Sequence, residues 1–197
     1  MAPKQTRKMI AALQVSLDGY TDGPDGDKDW VDSWADAIGL IPDVDMFVLG
    51  GRMYPSYGEY WEAIHTHPER IPPFSARPPS TSEIGYARLA AKTPHVVLST
   101  TLTGVSWPTA QIVRNVAELR TLARQPGKNA YVVGGATLVT SLLNEGVIDE
   151  IRLIVHPIIL GTGRSLFGGV TERRSLDLIE AKPTTSGRLI VNYRVIL

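Results

Sequence analysis

A chain of 197 residues falls within the size of one domain and is long enough to bury a substantial core. Apolar residues make up 43% and charged residues 20%, with 20 basic side chains against 20 acidic ones. This excludes a disordered or fibrous class and disfavours nucleic acid or an anionic membrane as partner, since those select a basic excess. Cysteine is absent, which removes disulfides, thiolate metal sites and a cysteine nucleophile.

The first residues, MAPKQTRKMIAAL, hold too short an apolar stretch for a signal peptide, and no run approaches the ~20 residues that span a bilayer, so a cytoplasmic protein is expected. Residues 8–15 (KMIAALQV) predict a strand apolar enough to lie centrally in a sheet. A loop over 16–27 follows, with three glycines, four aspartates and a proline; it is either a solvated connection or a flap over a ligand site at the strand's C-terminal end. Asp29 can cap a helix over about 30–40, with Trp30, Trp34, Ala37 and Ile38 along one side. Asp32 and Asp36 then share another face, where a carboxylate either holds an NH-rich heterocycle or simply meets water.

A second strand over 46–49 runs into Gly50-Gly51-Arg52-Met53 and a short helix carrying Tyr54, Tyr57, Tyr60 and Trp61. Residues 62–80 contain five prolines and predict an irregular excursion or lid. Thr81 or Ser82 can cap a helix reaching 91, with Glu83 in its first turn. The third strand, 95–99, ends in Ser99-Thr100-Thr101, whose hydroxyls either bind a phosphate or cap the next turn. A short strand over 110–113 and an amphipathic helix over 116–124 come next.

Residues 129–143 (NAYVVGGATLVTSLL) read as strand, glycine pair, helix. Glycines there permit positive φ and close ligand approach, and the free amides at the helix start make a seat for a phosphate or pyrophosphate. One such turn could be simple close packing. Its echo at Gly50-Gly51, with an arginine matched to phosphate, makes two unrelated tight turns a poor explanation. Further strands are predicted over 150–155, 175–181 and 188–196, the last two joined by a tight turn near Ser186-Gly187 and therefore antiparallel. The histidines offer no metal-ligand spacing: His65 and His67 lie beside prolines, and His95 and His156 sit at strand positions without carboxylate partners, so satisfied or exposed side chains are expected.

Taken together, MIAALQVSLDGY, MFVLGGRMY, the segment from VVGGATLVTSLL to GTGRSLF and the two-strand tail resemble the dihydrofolate reductase-like fold. Within it they are similar to the C-terminal reductase domain of the bifunctional riboflavin-biosynthesis deaminase/reductase and its stand-alone bacterial relatives. The resemblance covers nearly the whole chain, least clearly 62–92. It implies one α/β domain over 1–197: a twisted, mostly parallel central sheet with an antiparallel C-terminal strand, and helices on both faces. It implies NADPH as cofactor. Gly50, Gly51, Arg52 and Met53, with Ser99, Thr100 and Thr101, would hold the adenosine 2′-phosphate and its surroundings. Val133, Gly134, Gly135, Ala136, Thr137 and Leu138 would cradle the pyrophosphate. The nicotinamide would lie near Ala12, Val15 and Leu17, with Asp18 at the substrate edge and Asp36 or Asp32 standing in for the acid of the first helix.

The resemblance also implies a cis Gly134-Gly135 peptide and a homodimer formed through the tail strands or the segment 156–167. GxGxxG is missing, so a standard Rossmann site is not supported. Hydride transfer from NADPH to a small heterocycle (pterin- or pyrimidine-like) or carbonyl is the leading expectation. Dihydrofolate reductase proper and a non-catalytic nucleotide-binding or interaction protein are the alternatives. A zinc-site motif is lacking, so the chain is not the bifunctional riboflavin enzyme.

Overall fold

The structure, a computed structural model, describes residues 7–31 and 39–196. Its centre is β1 (Met9–Ser16), in which every residue is buried. That fits a strand with neighbours on both edges and helices over both faces, for which apolarity must be nearly continuous. Its alternation divides the core: Met9, Ala11, Leu13 and Val15 point into one apolar cluster, Ile10 and Ala12 into the other.

The remaining strands are β2 (Val44–Gly50), β3 (His95–Leu98), β4 (Ala110–Val113), β5 (Asn129–Gly134), β6 (Glu150–His156), β7 (Ser175–Pro183) and β8 (Leu189–Ile196). They form one eight-stranded sheet in the order β4-β3-β2-β5-β1-β6-β8-β7. All pairings are parallel except those of β8, which runs antiparallel to both β6 and β7. The expected mostly parallel sheet with an antiparallel C-terminal strand is therefore present, and its edge on that side is β7.

Helices α1 (Tyr54–Thr66) and α2 (Thr81–Ala90) cover one face, contributing Tyr57, Trp61, Ile64, Tyr86, Ala87 and Ala90 to its core. Helices α3 (Val116–Ala123) and α4 (Ala136–Asn144) cover the other through Leu119, Ala123, Val139, Leu142 and Leu143. No described helix is long and apolar enough to cross a membrane.

Two boundaries differ from the sequence expectation. Residues 62–66 are helical rather than irregular, because the first proline of that stretch is Pro68, beyond the C-cap His67, so the last turn of α1 keeps its amide donors. Helix α2 is capped by Ser80, not by Thr81 or Ser82. Ser80 Oγ accepts from the Glu83 amide (3.3 Å) and the Glu83 carboxylate accepts from the Ser80 amide (2.6 Å), a reciprocal pair that requires the acid three residues after the cap. The helix expected over 30–40 lies largely outside the described residues, as do Asp32, Trp34 and Asp36.

Candidate active site

The C-terminal ends of β1, β2, β3 and β5 open on a crevice of about 920 Å³. Open α/β sheets bind ligands at this end of their strands. Both glycine turns line it: Gly50, Gly51, Arg52 and Met53 from the first, Gly135, Ala136, Thr137 and Leu138 from the second, with Val133 behind them. The turns touch, since a Cβ added at Gly50 would lie 3.6 Å from Leu138 Cβ and 3.9 Å from the Gly134 carbonyl.

The second turn leaves its backbone open to the crevice. Gly134 has φ +124°, Gly134-Gly135 is cis, and no side chain caps the start of α4. A Cβ at Gly135 would meet nothing within 4 Å, so the backbone there is open to the crevice. The uncapped amides and the positive end of the helix dipole suit an anionic ligand. In the first turn, Arg52 lines the crevice and has no carboxylate partner among the described residues. Gly51 is fixed by packing: a Cβ there would fall 2.3 Å from Ser99 Oγ. Ser99 in turn accepts from the amides of Thr101 (3.3 Å) and Leu102 (3.0 Å), the capping alternative raised by the sequence, while Thr100 and Thr101 are exposed.

Strand β1 reaches the crevice through Leu13 and Gln14. Ala12 and Val15 are buried in the two cores and Leu17 is 64% exposed. Gln14 is the one polar residue in an apolar run, and that was its available signal; its Oε1 accepts from His156 Nε2 at 2.7 Å. Burial lowers the His156 pKa.

Asp18 stands outside the crevice lining. Its carboxylate accepts from Ser16 Oγ (2.7 Å) and from the amides of Leu160 (3.2 Å) and Gly161 (2.7 Å), tying the loop after β1 to the segment after β6. The Ser16 hydrogen bond foremost holds its carboxyl below the usual range, so it is ionised near neutrality and carries no proton to donate. The same seam is stitched by a bridge from Tyr20 to Ser165 and by Arg164 Nε on Asp22 (3.2 Å), and Arg164 lines the crevice with Lys28. Loop residues such as Lys28, Arg164 and Phe74 carried no periodicity by which sequence alone would find them.

Beneath the α1 wall lies a buried aromatic cluster. His95 donates from Nδ1 to the Thr93 carbonyl (2.7 Å), so Nε2 accepts from the Tyr57 hydroxyl (3.2 Å), which takes a bond from Tyr86 (2.9 Å). Desolvation lowers the His95 pKa to about 4 and pushes the Tyr57 hydroxyl well above its ordinary range, with the neighbouring tyrosines adding to the latter. His95 and His156 are satisfied side chains, as read from the sequence.

The sheet order, the antiparallel β8 and the glycine turns meeting at the strand ends define a dihydrofolate reductase-like fold. Dihydrofolate reductase from Enterococcus faecalis, solved with NADP(H), superposes with a TM-score of 0.60 at 12% identity over 95% of this chain and 96% of that one. The chain belongs to the RibD C-terminal domain family, whose pattern matches residues 7–190, and this membership supports a reductase-type role. A protein from Shewanella sp. PV-4 provisionally assigned to riboflavin biosynthesis has a TM-score of 0.68 at 22% identity, covering 96% of this chain and 99% of that one. Among curated relatives, the uncharacterized protein YyaP of Bacillus subtilis (strain 168) is 28% identical over 190 residues, 95% of this chain and 94% of its own.

Proposed function

We propose that the protein is an NADPH-dependent reductase of a small heterocyclic or carbonyl substrate. The carrying observation is the meeting of the two glycine turns in one crevice, one offering uncapped helix amides and the other an arginine without a carboxylate partner among the described residues. A dinucleotide phosphate needs both, amides for the pyrophosphate and a guanidinium for the 2′-phosphate. Gly135, Ala136 and Thr137 would hold the former and Arg52 the latter, with the nicotinamide end toward Leu13 and Gln14. When bound, NADPH supplies the hydride; the chain's own residues orient the partners and exclude water. Among the described residues neither Asp18, ionised and tethered, nor the Tyr57 hydroxyl, engaged with His95, is assigned the acceptor's proton.

Calorimetric titration of NADPH and NADH into the wild type and Arg52→Ala tests this. The variant should lose about tenfold or more in NADPH affinity, as expected for a charged hydrogen bond of roughly 1.5–3 kcal/mol, with little change for NADH. Equal loss for both removes the assigned role of Arg52, and no binding of either to the wild type removes the reading itself. Self-association is part of the proposal: β7 pairs only with β8 among the described strands and all nine of its residues are exposed, the state of an edge that a second copy could cover. Light scattering giving a monomer mass at working concentration would end that part.

A further inference from the structure

One wall of the crevice presents aromatic surface and little else. Tyr57, Tyr60 and Trp61 lie at i, i+3 and i+4 on α1, and Phe74 and Ser75 join them from the connection to α2. The polar ends of these residues are engaged elsewhere: Tyr57 with Tyr86 and His95, Tyr60 with Glu83 Oε1 (3.0 Å), and Ser75 Oγ with the Arg77 carbonyl (2.9 Å) and amide (3.2 Å). Tyr57 and Trp61 are themselves buried behind this wall, so what remains for a ligand on this side is ring surface of Tyr60 and Phe74.

Phe74 departs from ordinary backbone and burial behaviour together. It is 75% exposed, and it has φ +62°, the sole positive value of a non-glycine residue among those described. A turn closed by the Ser75 amide on the Pro72 carbonyl (3.3 Å) puts Pro73 and Phe74 at its two central positions. In a turn with positive φ at the second of these, glycine or asparagine is usual and a bulky side chain is disfavoured. The turn stands on a firm base. Buried Glu83 receives Arg77 Nη1 (2.8 Å), Tyr60 Oη and the Ser80 amide, joining the connection to both helices. An exposed aromatic held in a costly conformation at the rim of a crevice, on an anchored turn, is placed for a ligand rather than for the core.

We infer that Phe74 is a specificity-determining residue, forming with Tyr60 a slot that takes a flat conjugated ring by stacking and selects such rings over aliphatic carbonyls. The inference rests on the crevice being the reductase site proposed above. The ligand class is a planar conjugated acceptor, quinone-like or fused aza-aromatic, with few polar substituents at the edge that enters the slot.

The test is binding in the absence of turnover. Menadione, lumazine and glyceraldehyde are titrated into the cofactor-free protein and followed by tryptophan fluorescence, to which Trp61 contributes, with NADPH titrated separately. Phe74→Ala should weaken menadione and lumazine about tenfold while NADPH affinity stays within about twofold, and Phe74→Tyr should retain ring binding. Phe74→Gly should lose ring binding equally yet keep or raise the melting temperature, because it relieves the positive φ. Unchanged ring affinity in Phe74→Ala, a lowered melting temperature in Phe74→Gly, or no ring binding by the wild type at millimolar concentration overturns the inference. Phe74-dependent ring binding without NADPH binding would keep the slot and sink the reductase; NADPH binding without ring binding would do the reverse.

Discussion

The two glycine turns share a plan and differ in what their glycines are for. At the end of β2, Gly51 is required by the protein itself, because Ser99 occupies the space a side chain would need, and the charged residue lining the crevice is Arg52. At the end of β5, Gly135 faces open space and the helix it starts leaves its first amides without a side-chain cap. Their helices are also supported differently. Beneath α1 lies an aromatic cluster around a buried histidine, whereas α4 packs through Val139, Leu142 and Leu143. In the function proposed above, one turn would recognise by a charge carried on a packed scaffold, the other by the chain's own dipoles.

The largest expected contrast is in pH response. The unfolded chain protonates His95 near 6.5, while the folded protein resists protonation down to about 4, so native stability falls as pH drops through that window. The full loss is roughly 3 kcal/mol. Hydrogen exchange should then show the α1 amides opening ahead of those in α4 as pH falls from 7 to 4.5, and His95→Phe should flatten the pH slope in urea unfolding. Simultaneous opening of the two helices would break the comparison.

Next in size is Gly51→Ala, expected to destabilise by about 1–3 kcal/mol through overpacking against Ser99 and to be partly restored by adding Ser99→Gly, measured as urea midpoints. Gly135→Ala should behave oppositely. Its φ of −81° with ψ −169° suits an L-residue, so the melting temperature should hold within a few degrees while NADPH affinity falls several-fold. A Gly135→Ala protein that unfolds as readily as Gly51→Ala would show that both turns exist for packing.

These features were unequally legible in the sequence. The pattern of 129–143 carried strand, turn and helix in order, and β4 was bounded correctly by its apolar run between turn signals. That the two turns meet follows from β2 and β5 being neighbours, which no local pattern encodes. The contact of β1 with the crevice fell to Leu13 and Gln14 rather than to the side chains of Ala12, Val15 or Leu17, because a strand buried on both faces shows no alternation from which to tell its sides. The proline count correctly marked 68–80 as irregular but was read too far back into α1. Nothing in that stretch distinguished Phe74 from Ile71, since positive φ is a property of the folded turn.

The placement of β1 has a consequence for biosynthesis. This strand is made early, yet its two neighbours, β5 and β6, begin at Asn129 and Glu150. At ribosomal rates of about 5–20 residues per second, a largely apolar segment waits on the order of ten seconds for its flanking strands to emerge. During translation the centre of the future sheet is thus the part of the nascent chain most in need of shelter by a holding chaperone.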